Sequence, residues 1–167
     1  MQSGYSDYPT GYYPGQTLVA IHKRTTVPYS ADEMYALVND IESYPEFLRW
    51  CKDARVINRT ETHLQATVFI AAGKIKQSFT TENSMQPGRG INMQLVEGPF
   101  KYLTGSWSFT PVSEKESNIT LDIDFEFKNK LLKLALNHTF NHIMDSMVNS
   151  FSQRAVEIYG KRRDSQH

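Results

Sequence analysis

Few side chains in this 167-residue chain are spaced to do chemistry, and the spacing argues against most of what they suggest. His138 and His142 stand four residues apart, which on a helix sets two imidazoles on one face, within reach of one metal ion. No third ligand accompanies them and both fall on the polar side of the surrounding pattern, so a solvated pair is expected and no metal site. Asp122, Asp124 and Glu126 imitate an acid–base constellation. They alternate with apolar residues, however, which places them on the outer surface of a strand, where a charged row also discourages edge pairing. Cys51 is the single cysteine: it forms no internal disulfide, cannot supply a cysteine zinc site and lacks the neighbourhood of a catalytic thiol. There is no GxSxG elbow, and Gly88, Gly90 and Gly98 do not make the glycine cluster between strand and helix that cradles phosphate. No catalytic residue can be nominated.

What the chain has in quantity is broad apolar surface. Phe79, Met93, Trp107, Phe109, Phe125, Phe140, Met144 and Met147 are each ordinary core residues when taken singly. Together, flexible thioethers and wide rings suit a cavity for a planar or oily ligand. Tyr44, Phe47 and Trp50 read either as further core or as a pocket rim.

The elements that must position these residues are legible in the pattern. Ser30 with Glu33 forms a capping box, and Met34, Leu37, Val38 and Ile41 give a helix over 31–40 an apolar side. Pro45 biases Tyr44 away from helical angles and separates that helix from the turn carrying Phe47, Leu48 and Trp50. Ile119, Leu121, Ile123, Phe125 and Phe127 mark a half-buried antiparallel strand, preceded by one in which Leu103, Gly105, Trp107 and Phe109 share a face. Stretches at 53–60, 62–72, 74–85 and 89–97 read as further strands, joined by turns at Ala72-Gly73-Lys74 and Gln86-Pro87-Gly88. Gly98-Pro99-Phe100 is a tight turn displaying Phe100 as a core plug or at a pocket mouth. A final helix over 131–159, capped by Asn129 and ended by Gly160, carries a stripe of Leu132, Leu136, Phe140, Ile143, Met147, Phe151, Ala155 and Ile158. It must lie on the sheet, because nothing else is long enough to cover that apolar face.

Composition bounds the rest. Lys and Arg total 18 and Asp and Glu total 18, so no global field steers the chain to DNA, RNA or an acidic membrane; such contact needs a local patch. Lys74, Lys76, Lys128, Lys130, Lys133 and Lys161-Arg162-Arg163 offer such patches. No segment approaches the ~20 apolar residues that cross a bilayer. Residues 1–16, rich in Gly, Pro, Ser and Tyr, are expected to be a disordered extension, followed by one domain over 17–160 and a tail over 161–167. A single cysteine fits a reducing cytoplasm.

The stretches VPYSADEMYALVNDIESYPEFLRWC, LVEGPFKYLTGSWSFTP and LDIDFEFKNKLLKLAL together resemble the RatA and coenzyme-Q-binding subfamily of START-like (polyketide cyclase/dehydrase) proteins, over about residues 17–160. The resemblance implies an α+β helix-grip fold: a curved antiparallel sheet wrapped around a long C-terminal helix, two short helices after the first strand, and a hydrophobic tunnel between. The polyketide cyclase/dehydrase label suggests an enzyme, but no acid–base pair in this chain supports it, so neither an enzyme nor a cofactor is expected. The resemblance's first functional implication is binding of a ubiquinone-like isoprenoid lipid, in support of respiration, by a cytoplasmic protein making transient contact with the inner membrane. Tyr44, Phe79 and Trp107 would then stack on the ring, Phe47, Trp50, Phe100 and Met144 would form the entrance, and Met93, Phe125 and Phe140 would complete the lining. Its second is a RatA-type toxin that binds the large ribosomal subunit and blocks subunit joining.

Overall fold

The structure, a computed structural model, describes residues 19–162. The expected extension at 1–16 and the tail beyond Arg162 lie outside the described residues. Ser30 starts the first helix as a full capping box: its hydroxyl accepts from the Glu33 amide at 3.1 Å and the Glu33 carboxylate accepts from the Ser30 amide at 2.9 Å. In chain order the elements are β1 (Val19–Val27), α1 (Ala31–Asn39), a 3-10 helix (Ile41–Glu46), β2 (Cys51–Arg59), β3 (His63–Ala72), β4 (Ile75–Gln86), β5 (Gly90–Glu97), β6 (Phe100–Ser113), β7 (Glu116–Phe127) and α2 (Lys130–Tyr159). The strands form one curved sheet in the order β1-β7-β6-β5-β4-β3-β2, antiparallel throughout. Consecutive hairpins build most of it; the helical excursion after β1 lets β1 pair with β7 while β2 opens the far edge. This is the helix-grip arrangement.

The core lies between the sheet's inner face and α2. Every second residue of β7 from Ile119 to Phe127 is buried, and on α2 Leu136, Phe140, Ile143, Met147, Phe151 and Ala155 are buried against it. Burial of this apolar surface, at about 25 cal/mol per Å², is what fixes the helix to the sheet. Asn129 accepts from the Leu132 amide at 2.9 Å to cap the helix start.

Three sequence expectations change. Pro45 does not separate Tyr44 from helical structure but sits inside the 3-10 helix, where the buried Tyr44 is held by donating its hydroxyl to Val38 O at 2.5 Å. Ile158, assigned to the buried stripe, is 50% exposed, because Tyr159 takes up the packing at that end against Tyr29, with ring centroids 5.9 Å apart. Asp122, Asp124 and Glu126 do face outward, yet they guard no edge: β7 is paired on one side by β1 and on the other by β6.

Candidate functional site

A narrow cavity runs between the sheet and the middle of α2. Its sheet wall is built by alternation: Ala66 and Val68 from β3, Phe79, Thr81 and Asn83 from β4, Met93 from β5, Leu103 and Trp107 from β6, Leu121 and Ile123 from β7. Phe140, Met144 and Met147 of α2 close it from above, and Ile41, Tyr44 and Trp50 close its side. Gly105 matters here through what it omits. A Cβ on it would lie 3.0 Å from Met93 Cε and from Ile123 Cγ1, so the bare backbone lets Met93 lie across β6.

The open volume is about 70 Å³. Ligand pockets for drug-sized molecules span roughly 300–1,000 Å³. A quinone headgroup therefore enters only if lining side chains repack, which the methionines permit at little cost. Phe79 also lines a wider open groove of about 810 Å³ on the protein's outside, with Lys52, Phe69, Lys76, Pro99, Lys128 and Leu132. Phe79 thus stands between groove and cavity. It is kept seated by Gly98, whose added Cβ would fall 2.6 Å from Phe79 Cβ.

The cavity's polarity is sparse and specific. No carboxylate, imidazole, ammonium or guanidinium lines it. Tyr44 is its single phenol; burial pushes its pKa well above the ordinary tyrosine value, and its hydroxyl is already committed to Val38 O. The indole Nε1 of Trp50 is buried with no hydrogen-bond partner, an unmet donor beside an apolar hollow. Thr81 donates to Asn83 Oδ1 at 2.9 Å, which leaves the Asn83 amide NH2 as a second donor on a side chain only 4% exposed. Donors without acids or bases can hold a carbonyl oxygen but cannot move a proton. Cys51 adds no nucleophile, since burial raises its thiol to about 11.

Of the ten residues proposed from sequence, Tyr44, Trp50, Phe79, Met93, Trp107, Phe140 and Met144 line the cavity. Phe47, Phe100 and Phe125 do not. Phe47 packs on Tyr44 and Phe151 beneath the Arg154 guanidinium, 4.8 Å from its ring. Phe100 is 2% exposed, inside a cluster with Phe79, Phe125, Phe127 and Phe140, so it is a core plug and not an entrance. Thr81, Asn83 and the Trp50 donor went unnamed from sequence. The signal existed: Phe79, Thr81, Asn83 and Met85 share a face at period two.

His138 and His142 are both exposed, and no group of three metal-ligating side chains forms among the described residues. Burial, then the neighbouring Asp122 carboxylate, raise Asp124, on the outer face where His22 pairs with Asp122. A second groove, of about 520 Å³, lies between β1 and the C-terminal half of α2. Lys23, Arg24, Lys161 and Arg162 line it, with Asp145 as its one carboxylate.

Comparison with known proteins places these features. The model of the family described as "Polyketide cyclase / dehydrase and lipid transport" matches residues 27–152. The ribosome association toxin RatA of Escherichia coli is 43% identical over 142 residues, covering 85% of this chain and 90% of the relative. The coenzyme Q-binding protein COQ10, mitochondrial, of Dictyostelium discoideum is 24% identical over 151 residues, 88% of this chain and 74% of the relative. Among solved structures, the Zhui aromatase/cyclase of Streptomyces sp. R1128 superposes with a TM-score of 0.75 at 13% identity, over 87% of this chain and 100% of that one, a likeness of fold alone. An 18 kDa protein of Caulobacter crescentus, known by its solution structure, gives a TM-score of 0.67 at 26% identity, over 86% and 99%. No helix among the described residues is long and apolar enough to cross a membrane.

Proposed function

This chain belongs to the polyketide cyclase/dehydrase and lipid transport family, and from that premise we propose that it is a non-catalytic ribosome-association protein of the RatA kind. The observation that carries this reading is the 43% identity to a RatA protein along 90% of that relative's length. The geometry agrees in two ways. A cavity with donors but no acid or base offers nothing to turn a substrate over. The groove of Lys23, Arg24, Lys161 and Arg162 gathers cations that a neutral chain must concentrate locally if it is to meet a phosphodiester backbone. Lys23 is anchored by Asp145 at 2.6 Å and Arg162 by Glu33 at 2.7 Å, while Arg24 and Lys161 make no ion pair among the described residues.

Sedimentation of the full chain with purified ribosomal subunits tests it. Binding to the large subunit that weakens as salt rises is the expected result. Replacing Arg24 and Lys161 by Gln should reduce the slope of log K against log salt by about one per lost phosphate contact. Absence of cosedimentation at low salt with excess protein would overturn the reading.

A second reading, binding of a quinone-like lipid between sheet and α2, is favoured by one observation: the unpartnered buried Nε1 of Trp50, a residue lining a mostly apolar hollow. A quinone carbonyl would accept from it, while Phe79 and Trp107 offer faces for the ring. Extraction of the purified protein followed by lipid mass spectrometry, with titration of a short-chain quinone against tryptophan fluorescence, decides it. No recovered isoprenoid and no saturable quenching would remove it.

A further inference from the structure

The first two turns of α2 are unlike the rest of the surface. Leu131 is 77% exposed and Leu134 85%, the two most exposed large hydrophobic residues among those described. They lie three apart, hence on one side of the helix. Lys130 and Lys133 are exposed beside them, and no acidic residue occupies the first turn. Lys128, one residue before the cap, joins Lys52 and Lys76 on the rim of the wide groove, where Glu97 is the one carboxylate. Among the described residues none of these five lysines enters an ion pair.

We propose that this end of α2 docks on an anionic bilayer, Leu131 and Leu134 entering the headgroup–acyl boundary while Lys128, Lys130 and Lys133 meet the phosphates. Two features have to be explained together. Free cations alone would serve RNA equally well, but exposed leucines gain nothing against a phosphodiester surface and gain directly from an acyl boundary. Two leucines side by side on one helix face also exceed the singly scattered apolar residues that an ordinary surface carries. Lys130 and Lys133 each directly precede one of the two leucines in sequence, which is the mix of charge and apolar side chain an interfacial helix end uses. Docking here also places the groove, with Phe69, Phe79, Pro99 and Leu132 along it, against the membrane surface. A lipid could pass from bilayer to groove to cavity without crossing water. The docking stands independently of the ribosome reading and does not need the cavity to fill.

The test uses the full chain with two kinds of vesicle, phosphatidylglycerol mixed with phosphatidylethanolamine, and phosphatidylcholine alone. Flotation should show binding to the first that salt weakens, and little to the second. Leu131→Ser with Leu134→Ser should weaken it by about tenfold, at roughly threefold per partly inserted side chain. Lys130→Gln with Lys133→Gln should weaken it by about 25-fold, at roughly fivefold per lysine. Both pairs lie on exposed helix positions, so thermal unfolding should be unchanged and a loss of binding cannot be charged to misfolding. No binding to anionic vesicles at low salt overturns the proposal. So does a leucine pair without effect, and if the lysine pair then weakens large-subunit binding instead, the patch is an RNA contact. Vesicle binding that survives while no lipid is recovered from the cavity supports docking and rejects only the quinone reading.

Discussion

The two ends of α2 are held by different physics. From Asp145 onward the helix is clamped by polar contacts to three other elements. Lys23 of β1 reaches Asp145 at 2.6 Å, and Arg154 reaches Glu46 of the 3-10 helix at 2.8 Å. Arg162 forks onto both oxygens of Glu33 in α1 at 2.7 and 3.0 Å. Tyr29 donates to Gly160 O at 2.6 Å, and Tyr159 donates to Glu33 O at 3.0 Å. Before Asp145, among the described residues, no ion pair engages the helix, and Leu136, Phe140, Ile143 and Met144 hold it by apolar burial alone. Hydrogen-bonded clamps demand one geometry, whereas apolar contacts tolerate exchange of partners. The clamped end therefore sets where the helix lies, and the other end, which supplies Phe140 and Met144 to the cavity, is the one able to repack around a guest.

The contrast breaks most visibly at Phe151. It is fully buried and meets the rings of Tyr44, Phe47 and Trp107 at 5.2–5.3 Å. Phe151→Ala should cost about 3–5 kcal/mol in urea unfolding, the range for emptying a fully packed aromatic site. A cost below about 1 kcal/mol would mean that the anchor lies elsewhere. Phe79→Ala comes next. Phe79 is half-buried, so its loss should cost about 2 kcal/mol, less than a fully buried ring. Unlike the first variant it should gain a property, because removing the ring joins the groove to the cavity. Affinity for an apolar fluorescent probe should rise; unchanged affinity would show that the passage runs elsewhere.

How much of this was readable beforehand depends on which force was acting. Burial against a sheet leaves a period-two trace, and Ile119 to Phe127 were placed correctly from it, as were the capping box at Ser30 and the cap at Asn129. The resemblance supplied the sheet order's consequence, a hollow under α2, and seven of ten proposed side chains line it. Phe47, Phe100 and Phe125 lie outside its lining, because an aromatic ring carries the same apolar signal whether it walls a cavity or fills the core beside it. Thr81 and Asn83 were passed over because polar residues on an inward face interrupt the pattern that identifies the face. The clamp of Arg162 on Glu33 joins positions 129 apart in sequence, and no local rule pairs them.

That clamp sharpens the comparison through pH. The hydrogen bond from the Arg162 guanidinium, assisted by the Ser30 amide, holds Glu33 below the ordinary carboxylate range. A carboxylate with a depressed folded pKa stabilises the fold fully above its unfolded value, near ~4.3, and that contribution is lost as pH falls through the depressed folded value. Arg162→Gln should therefore lower the urea midpoint by a constant amount from neutral pH down to the carboxylate range. Below it the two proteins should converge. A gap that persists once Glu33 is protonated would show that Arg162 acts through its packing over the Tyr29 ring, 4.8 Å away, and not through charge.

The smallest effect is expected at the other end, and its smallness is the point. Leu134→Ser removes a large apolar side chain, yet 85% of it already faces solvent. Stability should stay within about 0.5 kcal/mol of the parent, the usual bound for surface positions away from caps and buried partners. Leucine favours helix over serine by only a few tenths of a kcal/mol, so propensity does not change that bound. A larger loss would mean that Leu134 is covered in the folded chain in solution, and the contrast between a clamped and an open end of α2 would then fail at its open end.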